Sequence, residues 1–319
     1  MTRKKQSMQR RKLFAEEEQR QGGVAVASPD IDFTHIGITD DRMFGTVFQN
    51  EEECKELLQR ILCIRIREIH VIAQMPMEGS FFGKGSRLDI YARDEDGNVY
   101  DIEMQTTMQA VLPLRSRYYH SEMDSYQIKK GQPYDKLKKS IVIFICTFDF
   151  FGDDRSVYTF ESVCLENAEI KLEDKRSTIF VNIGGNRKGL PEELKKLLDY
   201  FKTGIPTDAY TESLQEDVEK NRRDDEWRDN YMTFEMIMEE KKQEGEAIGR
   251  AQGRNEGESY MLISQVIRKI QKGKSMEETA EELEEDVTKI APIYEAVKES
   301  APEYDAEEIY RKVQERSRS

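Results

Sequence analysis

Histidine and cysteine are scarce in this chain, and the scarcity excludes the commonest transition-metal chemistries. Among 319 residues there are three histidines and four cysteines. Cys54, Cys63, Cys146 and Cys164 show no CxxC spacing, and His35, His70 and His120 do not complete a Cys/His set. No zinc site is read, and the cysteines are taken as free, mostly buried thiols. Long apolar runs are missing too. The longest, Ile141 to Phe151, is broken by Thr147 and Asp149. It is too short to cross a bilayer and reads as a buried strand, so no membrane partner is expected. The segment Met1 to Lys12 is basic but lacks the apolar stretch of a signal peptide, and a cytoplasmic location is expected.

Positive charge is in deficit, with a formal net charge of −14. Its distribution matters more than its total. Residues 207–319 hold 30 acidic and 18 basic side chains, a net of −12, whereas residues 1–206 hold 33 and 31, a net of −2. The first part is near neutral, so a nucleic-acid partner is neither favoured nor excluded by charge; local patches decide it.

Within these bounds the chain alternates helical and strand patterns. Residues 1–30 read as a flexible basic and then acidic arm. Asp40-Asp41 open an amphipathic helix carrying Phe44, Val47, Phe48, Leu57, Leu58, Ile61 and Leu62. Ile66 to Met75 reads as a strand. Pro113 opens a helix that runs to Lys130 and is ended by Gly131. Ser140 to Phe148, Tyr158 to Phe160 and Thr178 to Asn182 read as strands, and Leu190 to Phe201 as a helix introduced by Pro191. The order gives an α/β architecture, a mixed sheet flanked by helices, over 31–206.

A charged helical linker is expected over 207–258. In it Gly245, Gly249, Gly253 and Gly257 recur every four residues, each costing about 1 kcal/mol in a helix interior. Two readings stay open: a frayed linker helix, or a stripe for close packing between helices of a homo-oligomer. Charges between the glycines exclude a membrane role. Residues 259–319 read as a small helical region. It holds a helix over Tyr260 to Ile270, Ser275 and Glu278 as a capping box before a helix ending at Leu283, and another over Val287 to Val297. The tight turns resemble a helix-turn-helix, but the last helix sets Lys289 and Lys298 against Glu295 and Glu299. An oligomerisation or partner-docking bundle is preferred to a DNA reader.

The chemistry concentrates in one hairpin. Arg87 to Ala92 and Val99 to Gln105 read as strands joined around Asp94-Glu95-Asp96-Gly97-Asn98. A three-residue loop Glu95-Asp96-Gly97, with Gly97 left-handed, sets a register symmetric about Asp96. Asp89 then faces Glu103, with Gln105 one step along on the same face. Two carboxylates so placed suit a divalent cation. A two-residue turn at Asp96-Gly97 would pair Asp89 with Met104 and dissolve the site. The plainer alternative is a solvated acidic face on a sheet whose other face, Leu88, Ile90, Ile102 and Met104, packs the core. Asp41, at the start of the preceding helix, is a further candidate acid. Arg115, Arg117 and Tyr119 are candidate phosphate contacts, with Gln127 and Lys129 on the same helical stretch.

Taken together these segments resemble the PD-(D/E)XK nuclease family transposases, the Rpn family of recombination-promoting nucleases. The pieces occur in order: Asp40-Asp41-x-x-Phe44; Arg87-Leu88-Asp89-Ile90; Asp96-Gly97-x-x-Tyr100-Asp101-Ile102-Glu103-Met104-Gln105; Leu112-Pro113-x-Arg115-x-Arg117-Tyr118-Tyr119; and Ile141 to Asp149. The likeness spans about residues 35 to 300. It implies a restriction-endonuclease-like αβββαβ core and Mg²⁺-dependent DNA cleavage, with Mn²⁺ as an alternative ion. It places the ion on Asp89, Glu103 and the backbone carbonyl of Met104, and makes Asp41 a supporting acid. Arg115, Arg117, Tyr119, Gln127 and Lys129 become DNA contacts. Gln105 stands where the superfamily has a lysine. An amide offers hydrogen bonds but no charge, so a lysine from elsewhere, Lys84 or Lys129, is a candidate substitute. The other reading of the likeness is a nuclease fold without catalysis, acting as a DNA- or protein-binding module.

Overall fold

The computed structural model describes residues 31–73, 76–77, 86–87 and 89–317. The expected arm, Lys84 and Leu88 lie outside them. Among the described residues two compact units are distinguished, one up to Thr233 and the other from Phe234 onward.

In the first unit the elements follow in order. They are α1 (Asp41–Val47), α2 (Glu51–Leu62), β1 (Ile69–Ala73), β2 (Pro76–Met77), β3 (Ser86–Arg87), β4 (Ile90–Asp94), β5 (Val99–Gln105), α3 (Leu112–Gln127), β6 (Ser140–Cys146), β7 (Val157–Phe160), β8 (Arg176–Asn182), α4 (Glu192–Thr203) and α5 (Ala209–Arg223). A further helix, α6 (Asp225–Gln271), begins in this unit. The single helix expected from Asp40 to Leu62 is two, because Asn50 caps a fresh start by accepting from the Glu52 amide. The helix after Pro113 ends at Gln127, four residues before Gly131.

Six strands form one mixed sheet in the order β1-β4-β5-β6-β8-β7, and β2 pairs with β3 separately. The hairpin β4–β5 is antiparallel; β5–β6 and β6–β8 are parallel, with α3 as the crossover between β5 and β6. The sequence α2-β1-β4-β5-α3-β6 is the αβββαβ core expected.

Both faces of the sheet are covered. On one, Ile90, Ala92, Tyr100, Ile102, Met104, Ile141, Ile143 and Ile145 meet the apolar sides of α1, α2, α4 and α5. On the other, Tyr91, Val142, Phe144 and Phe180 meet Leu112, Tyr119 and Met123 of α3. Strand β5 is therefore buried along its whole length, as central strands between helical layers are.

The first unit continues past residue 206 for physical reasons. Leu214 and Val218 of α5 are fully buried in the first core, and Tyr231 joins them. Arg60 of α2 bonds the Asp208 carboxylate at 2.9 Å, Trp227 donates to Thr46 at 2.9 Å and Tyr231 to Asp40 at 2.8 Å.

Helix α3 is seated on the sheet partly through His120, whose Nδ1 lies 2.8 Å from Ser140 Oγ and Nε2 3.0 Å from Thr178 Oγ1. Burial, and then the charge of Arg176, hold this imidazole down at about 4 from an ordinary 6.5. The native state binds fewer protons than the unfolded chain between those values, so stability falls as pH drops through that window. The loss approaches about 3 kcal/mol. Denaturant unfolding at pH 7 and pH 4.5 is expected to show it, and His120→Gln is expected to flatten the difference.

The second unit contains the rest of α6, then α7 (Met276–Leu283), α8 (Val287–Glu299) and α9 (Ala306–Ser317). The capping box of Ser275 and Glu278 forms as expected; α9 is an additional helix. Ile263, Val266, Ile290, Val297 and Ile309 make its core. All four ladder glycines lie inside α6, and a Cβ at any of them would meet nothing within 4 Å in this chain. Among the described residues no helix is long and apolar enough to cross a membrane.

Candidate active site

The hairpin takes the three-residue loop. Ile90 pairs with Ile102, Tyr91 with Asp101 and Arg93 with Val99, so the register is symmetric about Asp96. Gly97 is left-handed at φ +83°, the conformation that glycine adopts without a Cβ penalty. A second device, not singled out from the sequence, is Asp94. Its carboxylate accepts from the amides of Asp96 (3.0 Å) and Asn98 (2.9 Å), from Asn98 Nδ2 (2.9 Å) and from the Tyr100 hydroxyl (2.7 Å). A turn aspartate facing its own loop amides was legible as an Asx-turn signal.

Continuing this register by one residue sets Asp89, in the bend before β4, opposite Glu103. Strand β4 begins opposite Ile102, so residues 103–105 of β5 run past its start. On their other side they stay paired with Phe144, Ile145 and Cys146 of β6.

Asp101, Glu103 and Gln105 share the face covered by α3, while Met104 sends its side chain into the opposite apolar layer. The solvated acidic face considered from the sequence is not what forms. Asp101 is 0% exposed, Glu103 1% and Gln105 7%. Burial of carboxylates without full pairing is costly, and here the pairing is partial. Arg115, on the first turn of α3, donates through Nη2 to Glu103 Oε2, and through Nη1 to Gln105 Oε1 at 3.1 Å. The Tyr119 hydroxyl accepts from Arg115 Nε (3.0 Å) and Nη2 (2.8 Å). Gln105 Nε2 donates to Glu103 Oε2 at 3.2 Å. Glu103 Oε1 and both oxygens of Asp101 are buried with no hydrogen-bond partner.

Charge is out of balance in this layer. Burial, followed by the Asp89 charge, pushes the Glu103 carboxyl up to about 8 even with Arg115 against it. Burial, then Glu103 and Asp89, hold Asp101 well above the usual carboxylate range. Three acids face one guanidinium, and protonation makes up the difference. Asp41, exposed at the first position of α1, adds a smaller share of the negative charge acting on Glu103.

Unpartnered buried oxygens beside a second carboxylate fit a hard divalent cation. Among the described residues no group of three or more His, Cys, Asp or Glu side chains is arranged to hold an ion unaided. Mg²⁺ does not require one, since it keeps several waters and takes one or two carboxylates plus substrate phosphate oxygens.

The remaining predicted residues lie elsewhere on α3. Arg117 is exposed and lines a cavity of about 260 Å³ with Ser116, Phe160, Ser162 and Arg176. Gln127 closes the helix, its amide oxygen accepting from the Lys138 backbone at 2.6 Å. Lys129 follows it, exposed, roughly 20 Å from Arg115 by helical rise. The structure thus brings together Asp89, Glu103, Gln105, Arg115 and Tyr119, and separates Gln127 and Lys129 from them.

A family model described as PD-(D/E)XK nuclease family transposase matches residues 41–247. The match starts at α1, takes in the hairpin, α3 and the parallel strands, and stops inside α6, short of the helices toward residue 300. No curated protein and no solved structure matches the chain. With about two thirds of its length matched, and with the mixed sheet and the β4–β5 hairpin in place, the chain belongs to the PD-(D/E)XK nuclease family transposases.

Proposed function

We propose that the protein is a divalent-cation-dependent DNA endonuclease that hydrolyses phosphodiester bonds at the β4–β5 hairpin, in the service of recombination, a mobile element or defence. The observation that carries this is Glu103, buried opposite Asp89 with one oxygen held by Arg115 and Gln105 and the other unpartnered.

Asp89 and Glu103 would hold the ion, with the Met104 carbonyl as a third oxygen. Mg²⁺ or Mn²⁺ bound there supplies Lewis-acid charge and lowers the pKa of water. Hydrolysis adds one water across one P–O bond: the water oxygen joins phosphorus, the ester oxygen departs with the bonding pair, and the proton ends on it. Gln105 orients groups by hydrogen bonding, and Asp41 strengthens the negative field at Glu103. Exposed Arg117 and Lys129 would meet backbone phosphates, Lys129 away from the scissile bond. Tyr119 acts through Arg115, and Gln127 through the chain leading into β6.

Nicking of supercoiled plasmid with Mg²⁺ or Mn²⁺ tests the reading. Wild type is expected to nick, and Asp89→Ala and Glu103→Ala to lose at least about a hundredfold in rate, the scale of removing a charge-stabilising group. Equal rates in wild type and both variants would show that the hairpin is not the site of hydrolysis.

A further inference from the structure

We infer that Arg115 is a catalytic residue, supplying to the scissile phosphate the positive charge that strand β5 lacks at Gln105. The inference rests on the hydrolytic reading of the hairpin and assigns the source of its charge stabilisation.

The geometry begins with Gln105 itself. Its amide oxygen accepts from Arg115 Nη1 at 3.1 Å, so the guanidinium stands directly against the position where a strand cation would sit. Arg115 is also the cation whose charge is felt by both Asp101 and Glu103. It comes from the first turn of α3, ten residues on in sequence, and is brought back by the crossover onto β6.

The guanidinium is fixed rather than free. Nε and Nη2 both donate to the Tyr119 hydroxyl, Nη2 donates to Glu103 and Nη1 to Gln105. Its centre lies 5.5 Å from the Tyr119 ring and 5.9 Å from the Phe144 ring. A guanidinium carries five N–H donors; these four bonds leave one Nη1 hydrogen, on the Gln105 side. The side chain is 28% exposed where Glu103 is 1%, so Arg115, and not Glu103, offers a surface to a phosphate arriving from solvent. A charged donor held before the reaction and aimed at developing phosphate charge is the arrangement that stabilises such a transition state.

Lysine at 105 and arginine at 115 are then alternative ways of placing one charge in one pocket. The test relocates it. Arg115→Met is expected to lower kcat for plasmid nicking about a hundred- to a thousandfold, with KM changed little. Adding Gln105→Lys to Arg115→Met is expected to recover at least tenfold of that loss, and to introduce an alkaline decline in rate, as lysine deprotonates, that wild type lacks. Arg115→Met/Gln105→Met is the uncharged control and stays inactive. If Arg115→Met melts below the assay temperature, Arg115→Lys decides instead: it keeps a cation, and is expected to nick within about tenfold of wild type at neutral pH and to lose rate at alkaline pH as the lysine deprotonates. Equal rates in the two folded double variants, a folded Arg115→Met variant with wild-type kcat, or an Arg115→Lys pH profile identical to that of wild type would overturn the assignment. Asp89→Ala in the same assay keeps the two readings apart: wild-type rates there sink the hairpin itself, whatever Arg115 does.

Discussion

Arg115→Met is expected to destabilise the first unit by about 1–3 kcal/mol near neutral pH, the cost of leaving buried acceptors without their donor. Glu103 Oε2, Gln105 Oε1 and the Tyr119 hydroxyl all take hydrogen bonds from Arg115. All three residues are at most 7% exposed, so water does not readily replace the lost donors. The pH dependence gives the effect a signature. Glu103 in the native state titrates near 8, above its ordinary 4.5. The native state therefore holds more protons than the unfolded chain between those values, and stability falls as pH rises through the window. Removing Arg115 takes away the larger of the influences drawing that value down, so the variant keeps its proton to still higher pH. The gap between wild type and Arg115→Met widens from pH 6 to pH 9. Urea unfolding at both values checks it, and Glu103→Gln added to Arg115→Met is expected to abolish the widening. A gap independent of pH would mean that Arg115 stabilises by packing alone.

Asp94→Ala is expected to cost about 4 kcal/mol. Four donors converge on this carboxylate, and bonds to a charged acceptor contribute about 1.5–3 kcal/mol each before the chain relaxes. The Tyr100 hydroxyl suffers most, because Tyr100 is 1% exposed and its 2.7 Å bond to Asp94 is internal. Asp94→Asn keeps the acceptor and is expected to lose less than half as much. Guanidinium unfolding of the three proteins separates the cases. Because the loop also sets which residues face Glu103, Asp94→Ala is expected to lower nicking beyond what the unfolded fraction explains.

The parts of this molecule written locally were legible. Gly97 at the end of a three-residue loop announced the register, and the alternation in Val99–Gln105 put Asp101, Glu103 and Gln105 on one face. What alternation does not carry is which face meets solvent. The burial of Asp101 and Glu103 depends on α3 folding back over β5, and Leu112, Tyr119 and Met123 supply that cover from residues far along the chain. Arg115 was visible as a basic residue suited to phosphate, but its partnership with Gln105 is a product of the crossover. Asn50 falls inside one expected helix because Val47 and Leu58, eleven residues apart, keep the apolar stripe in phase across the break. The continuation of the core through Leu214 and Val218 was masked by the charge of the surrounding helix, where two buried positions outweigh many exposed glutamates.

The symmetry of the hairpin about Asp96 has an evolutionary consequence. Strand faces alternate residue by residue, so the loop encodes the site by its parity as much as by its composition. Many side chains can be exchanged at Asp96, whose own side chain is not among the buried groups of the site. A single inserted or deleted residue there is different in kind. It would set Asp89 against Ile102 or Met104 and move the acids of one strand out of line with those of the other. Lineages carrying this fold are thus expected to drift at Asp96 while Gly97 and the length of the loop stay fixed.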